Sequence, residues 1–192
     1  MKKLVAIIAC SIFLFSCNSN KNPQIQIITN IGYINAELYP DKAPVTVKAF
    51  LSYVDSGLYK NSSFYRVLMV ESMASDLNSG VIQGGIWQSD NKRAVALPGI
   101  PHESPKQTGL SHTSGTLSLA RTTPGTANSE FFICIGDQTG YDSSKNFNPD
   151  GLGFAAFGRV TRGMDIVRQI QSQPADGQLF TKPIVILDIK RL

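Results

Sequence analysis

Short apolar runs that alternate with polar residues and stop at turn residues constrain the fold of this chain most strongly. Gln24-Ile25-Gln26-Ile27 alternates strictly, Asn30-Ile31-Gly32 is a turn, and residues 33–38 alternate again, so the first ordered unit is a hairpin. The same texture returns at residues 64–67, 81–83, 116–120, 131–135, 154–160 and 184–190. Two stretches carry helical periodicity instead. Pro44 sits where the first turn of a helix tolerates it, with Asp41 or Ala43 near the cap, and Val47, Phe50, Leu51 and Val54 recur up to Gly57. Ile166, Val167 and Ile170 share one face of a second helix over residues 164–170. Eight strands and two helices predict a mainly β protein, a closed eight-stranded antiparallel barrel capped by two α-helices. The connections over residues 68–80, 87–114 and 136–153 are long and rich in Ser, Asn, Pro and Gly. Loops of that length inside a compact domain carry function or lack fixed structure.

The N-terminal residues read as a targeting segment. Lys2 and Lys3 precede an apolar stretch over residues 4–15, broken only by Cys10 and Ser11. That stretch is too short to span a bilayer comfortably and suits the core of a signal peptide. Leu14-Phe15-Ser16-Cys17 resembles a bacterial lipobox. The resemblance implies a lipoprotein signal peptide over residues 1–16, lipidation of Cys17, a polar tether over residues 17–23 and one domain over residues 24–192. The competing reading is an ordinary cleaved signal peptide with an incidental cysteine. An acyl anchor holds a protein on a membrane through about 0.8 kcal/mol per buried methylene. The expected location is therefore the bacterial cell envelope, lipid-anchored and facing the periplasm or exposed on the surface.

Charge excludes little but weakens one class. Removing Lys2 and Lys3 from the 18 basic residues leaves 16 against 14 acidic ones, too small an excess to argue for a nucleic-acid partner. Of the three cysteines, Cys134 alone falls in the domain, so no disulfide framework exists within it. Inside Phe-Phe-Ile-Cys-Ile it reads as a small buried apolar residue.

Three runs carry the chemistry: Phe64-Tyr65-Arg66-Val67, Val81-Ile82-Gln83-Gly84-Gly85 and Glu130-Phe131-Phe132-Ile133-Cys134. They combine a permanent cation, a side-chain amide and paired aromatics, with no nucleophile or general base beside them. In this order they resemble the active-site strands of the cyclophilin peptidyl-prolyl cis-trans isomerases, and the resemblance extends from the first hairpin to the last strand. Rotation about an X–Pro bond meets a barrier of about 20 kcal/mol because the amide nitrogen shares its lone pair with the carbonyl. A hydrogen-bond donor near the prolyl nitrogen and a dry apolar pocket for the ring lower it, with no covalent intermediate and no proton transfer. The resemblance implies Arg66 as the catalytic donor, Gln83 as the amide that positions it, and Phe132 as the pocket floor. It further implies Phe64, Val81, Ala120, Arg121, Ala127 and Phe154 as substrate-binding positions. Phe154 is a rim ring, and Ala127, Asn128 and Ser129 form a small-residue turn beside the groove.

The departures from the family pattern are specific. Sixteen residues separate Arg66 from Gln83, an insertion. Gly80 and Val81 stand where relatives place a phenylalanine and a methionine that wall the proline pocket, and Met69 or Met73 of the inserted loop is expected to close that wall. Tyr65 replaces a histidine, with little consequence expected. Glu130 replaces a glutamine, adding a charge of small weight if exposed. The family's groove tryptophan is missing near Asn148, and Trp87 is expected to pack against the barrel.

Other candidate sites are weaker. His102 and His112 lack metal-ligand company. Asp142, Ser144, Asn146, Asn148 and Asp150 only faintly resemble a calcium loop, with no central glycine and with Gly153 in place of the bidentate glutamate. Ser111, Ser114 and Ser118 near His112 form no recognisable nucleophile arrangement in sequence. The resemblance implies no cofactor and no metal. The expected function is isomerisation of X–Pro bonds in unfolded or partly folded exported polypeptides by a monomeric enzyme. The alternative is a catalytically weak proline-peptide binding or chaperone module of the envelope.

Overall fold

The computed structural model describes residues 22–70, 79–143 and 149–192. The expected signal peptide, Cys17 and Met73 lie outside the described residues. The strands are β1 (Gln24–Thr29), β2 (Tyr33–Leu38), β3 (Ser62–Val70), β4 (Ser79–Gly85), β5 (Thr116–Leu119), β6 (Phe131–Ile135), β7 (Ala155–Arg162), β8 (Ala175–Asp176) and β9 (Leu179–Arg191). All pair antiparallel in the order β1-β2-β7-β5-β6-β4-β3-β9-β8, and a β1–β9 pairing closes the ring. Eight strands form the barrel. The two-residue β8 only makes a small hairpin on β9.

The two expected helices are α1 (Pro44–Asp55) and α4 (Met164–Gln171). Two short ones, α2 (Asn91–Ala96) and α3 (Pro105–Thr108), interrupt what the sequence presents as one long loop. They rest on local capping that periodicity over so few residues does not reveal: Asp90 accepts from the Arg93 amide, and Ser104 and Gln107 form a capping box. Helix α1 starts at Ala43 without a side-chain cap of its own. The carboxylate of Glu103 fills that role from the far loop, accepting from the amides of Val45 at 3.1 Å and Thr46 at 2.7 Å. An acceptor at a helix N-terminus satisfies orphan donors and opposes the dipole, and here it also ties the loop to the barrel.

Apolar residues of one strand parity fill the barrel. Ile25, Ile27, Ile34, Leu38, Phe64, Ile82, Leu117, Phe131, Ile133 and Phe157 are all fully buried. Helix α1 plugs one end with Phe50, whose ring sits 5.3 Å from Tyr59, 5.6 Å from Phe131 and 4.8 Å from Phe157. Among the described residues no helix is long and apolar enough to cross a membrane.

Candidate active site

Strand β6 is buried on both faces, which an ordinary barrel strand is not. A second, smaller apolar cluster explains it: Val81, Phe132, Cys134 and Tyr141, with Leu68, Ala120 and Phe154 packed against them. All of these but the buried Cys134 border a cleft of about 590 Å³ on the outside of the barrel. That volume suits a small ligand or a short stretch of peptide.

Register brings the predicted residues together. Arg66 pairs with Gln83, Gln83 with Phe132, and Phe132 with Ser118, so cation, amide and ring lie in one row across β3, β4, β6 and β5. The next inner row joins Phe64, Gly84, Phe131 and Leu119. A β-bulge at Tyr65 separates the two rows on β3, because Phe64 opposes Gly84 while Arg66 opposes the adjacent Gln83. Without the bulge, period-2 alternation would put Phe64 and Arg66 on the same face. With it, Arg66 reaches the cleft and Phe64 turns inward.

Phe64 therefore is not a cleft residue. It is 0 % exposed and packs edge-on against Phe131 at 5.7 Å. Ala127 does not line the cleft either: its side chain is buried in the barrel core and its backbone bridges Ile100, while its neighbours Thr126 and Asn128 line the cleft. Val81, Ala120, Arg121 and Phe154 line it with Arg66, Gln83 and Phe132. The Arg121 side chain acts as a strut. It grips Asp150 through two bonds of 2.7 and 2.9 Å, donates to the Gly153 carbonyl, and lies 5.4 Å from the centre of the Phe154 ring. The hydrogen bonds from Arg121 pull the Asp150 carboxyl down to about 2.

Among the described residues the missing wall is supplied by Leu68, not by Met69. Leu68 faces Val81 across the β3–β4 ladder and lines the cleft, whereas Met69 is 48 % exposed and does not. No ring could replace Gly80: its φ is +134°, and a Cβ there would lie 1.9 Å from the Leu68 carbonyl oxygen. Trp87 also departs from expectation. It is 48 % exposed and lines the cleft with Val95.

Phe132 floors the pocket beneath Tyr141 and Phe154, whose rings stand edge-on to it at 5.6 and 5.4 Å. His112 stacks against it at 5.9 Å with an interplanar angle of 17°. The His112 ring bonds Asp142 through Nδ1 at 2.7 Å and Ser118 through Nε2 at 3.0 Å. Serine, histidine and aspartate thus meet in space, an arrangement the sequence spacing hides. Ser118 is 0 % exposed under the floor ring, so its hydroxyl supports that ring and is no accessible nucleophile. Burial holds His112 below its ordinary range, Asp142 opposing it only in part. Asp142 therefore stands pinned within a loop expected to be solvated. Burial opposes its ionisation, but bonds from Ser111 and His112 prevail and hold its carboxyl low.

Two residues expected to matter little sit at the centre of the polar side. The Tyr65 hydroxyl donates to Glu130 at 2.7 Å and accepts from Gln83 Nε2 at 2.9 Å. Gln83 Oε1 accepts from Arg66 at 3.1 Å. Glu130 is buried, and its other oxygen accepts from the Trp87 amide and the Ser129 hydroxyl. Gly85, with φ +148°, leaves the room: a Cβ there would meet the Glu130 carboxylate at 2.3 Å. Burial raises the Glu130 carboxyl above its usual value, although these bonds draw it back. Arg66 gains one more partner that no local signal marks. The exposed Gln178, in the β8–β9 turn, accepts from both Nε and Nη2. Among the described residues no group of His, Cys, Asp and Glu could hold a metal ion.

A closed barrel with an apolar, cation-rimmed groove on its outer face defines an enzyme class that holds an extended peptide and turns one of its bonds. The chain belongs to the cyclophilin-type peptidyl-prolyl cis-trans isomerases, a family that acts on proline-containing polypeptides: residues 24–191 match "Cyclophilin type peptidyl-prolyl cis-trans isomerase/CLD". It is 35 % identical to a peptidyl-prolyl cis-trans isomerase of Acinetobacter baylyi over 175 residues, covering 91 % of this chain and 85 % of that one. It is 37 % identical to peptidyl-prolyl cis-trans isomerase B of Escherichia coli over 147 residues, 74 % of this chain and 80 % of that one. In fold it is similar to the crystal structure of a cyclophilin-type isomerase of Cryptosporidium parvum. The TM-score is 0.70 at 23 % identity, over 89 % of this chain and 98 % of that one.

Proposed function

We propose that this isomerase turns X–Pro bonds with Arg66 as the donor, Gln83 as its support and Phe132 as the floor under the proline ring. The row that sets a guanidinium beside an apolar pocket across β3, β4 and β6 carries this reading. An N–H aimed at the prolyl nitrogen stabilises its lone pair once conjugation with the carbonyl is lost, a charge pattern present only in the twisted state. A donor in a low-dielectric site acts strongly on that state and weakly on the planar one. Phe132, Leu68, Val81 and Phe154 keep water from the ring, and the Ala120–Arg121 edge offers backbone to the extended peptide. No covalent bond forms or breaks.

The finer reading is a lipid-anchored, monomeric enzyme of the bacterial envelope, attached through Cys17 and serving unfolded or partly folded exported chains. The basic, apolar and lipobox-like succession over residues 1–17 supports it. On this reading the residues after Cys17 lead as a tether to β1, which starts at Gln24. Mass spectrometry of the membrane fraction tests the anchor. A diacylated or triacylated Cys17 at the N-terminus supports it, and a free amino group elsewhere rejects it.

Isomerisation of a proline tetrapeptide by wild type and Arg66→Ala tests the site. The variant is expected to lose about 100-fold in kcat/KM while keeping its Tm, the scale of removing one transition-state donor. Equal rates in the two proteins would refute the role of Arg66, and negligible rates in both would leave a proline-peptide binder.

A further inference from the structure

Arg66, Gln83, Tyr65 and Glu130 form a hydrogen-bonded relay whose two ends differ in kind. Guanidinium only donates, and ionised carboxylate only accepts. Between them stand two groups that do both. Arg66 donates to Gln83 Oε1, so Gln83 must present Nε2 to the Tyr65 oxygen, and Tyr65 must direct its proton to Glu130. Starting from Glu130 gives the same order. Its oxygens take the Tyr65 hydroxyl on one side and the Trp87 amide and Ser129 hydroxyl on the other, leaving no place for a donor there. The direction of every bond is set from both ends at once.

We propose that Tyr65 and Glu130 are positioning residues of the isomerase: the buried carboxylate, acting through the Tyr65 hydroxyl, fixes the Gln83 amide with its carbonyl against Arg66. The proposal rests on the reading of Arg66 as the group that acts on the prolyl bond. A flipped amide would set NH2 against guanidinium, two donors face to face, and would release Nη1 from its support. In the fixed orientation the second Nε2–H of Gln83 remains for the peptide. A glutamine at position 130 cannot do the same work. Either its NH2 meets the Trp87 amide, or it donates to Tyr65 and reverses the relay down to Arg66. A neutral, protonated Glu130 has the same freedom to donate. The titratable groups that feel Glu130 are Tyr59 and Tyr65, both driven upward by burial, so neither titrates alongside it. Arg66 is the cation that faces Tyr65 from the far side.

The test measures kcat and KM separately, by exchange NMR on a proline peptide, for Tyr65→Phe, Glu130→Gln and the double variant. Each single change is expected to lower kcat about tenfold, with KM within about twofold, because it acts on the twisted state through Arg66. The double variant is expected to be no slower than the slower single, since one relay is broken once. Wild-type kcat should fall on acidification as Glu130 takes a proton, and Glu130→Gln should lack that limb. The side-chain 15N–1H signals of Gln83 should move in Tyr65→Phe, a readout that suffices if Glu130→Gln does not fold. An unchanged kcat and unchanged Gln83 signals in Tyr65→Phe overturn the relay, as do losses that multiply in the double variant. Arg66→Ala separates the two levels. If it is inactive while Tyr65→Phe is unaffected, only the relay fails; if it is fully active, the role of Arg66 fails and the relay falls with it.

Discussion

The two faces of β6 differ in what they can tolerate, although every residue of the strand is buried. Phe131, Ile133 and Ile135 face the barrel interior, where Phe131 meets Phe50, Tyr59 and Phe64 edge-on. Phe132 and Cys134 face outward into a cluster of four buried apolar residues among those described, one side of which is open as the cleft. The inner face has neighbours on all sides and is held by packing alone. The outer face is held from beneath by a polar support of His112, Ser118 and Asp142, and it leaves a surface free for a ligand. Neighbouring phenylalanines in one strand thus have opposite duties, one to the fold and one to the reaction.

Truncating each ring breaks the comparison most directly. Phe131→Ala opens a cavity in the aromatic centre and is expected to cost about 3–5 kcal/mol in urea unfolding. Phe132→Ala is expected to cost about 2 kcal/mol, since solvent and the rim rings can fill part of the space. Its kcat/KM should fall by about 100-fold, more than stability explains. Similar losses of stability and activity in both variants would erase the division of labour.

A smaller effect sharpens the outer face. Leu68→Ala should raise KM about fivefold, about 1 kcal/mol of lost pocket contact, and Met69→Ala should leave it unchanged. The reverse outcome would return the wall to the methionine.

The pH dependence of Glu130 separates folding from catalysis. Its folded value is raised by burial above the ordinary 4.5, so the stability it contributes is fully present below 4.5 and is lost as pH rises through the raised value. Catalysis by the relay has the opposite sign and grows over that window. The urea midpoint of wild type relative to Glu130→Gln should therefore fall where kcat rises. The smallest effect concerns Cys134, whose thiol burial pushes far above its ordinary range. A thiol reagent should leave it untouched in the native protein and label it only on unfolding.

The barrel is legible in the sequence from period-2 alternation, and Arg66, Gln83 and Phe132 from short motifs that resemble those of the family. The sequence misled at Phe64 because a bulge of one residue reverses that alternation, and nothing in Phe-Tyr-Arg announces a bulge. Tyr65 and Glu130 carry little signal in the sequence for a related reason. Each is an ordinary substitution alone, and their partnership exists only once β6 lies beside β4 and β4 beside β3. Gln178 and Glu103 are distant side chains brought in by tertiary contact, and no local pattern marks them. Leu68 takes the place expected of Met69 because strand β3 runs on through it into the inserted segment.

The seam of the barrel has a temporal consequence. The first strand closes against the last, and the Leu192 amide donates to the Gln24 carbonyl at 2.9 Å. A nascent chain emerging from the ribosome carries β1 with one edge unpaired until β9 has been made. Strand β3, which carries Arg66, also pairs with β9, and Arg66 donates to Gln178 just before that strand, so the setting of Arg66 is complete only once β9 is in place. Such non-local closure belongs to topologies that fold in about milliseconds to seconds. Until then the open edge is a surface for mispairing.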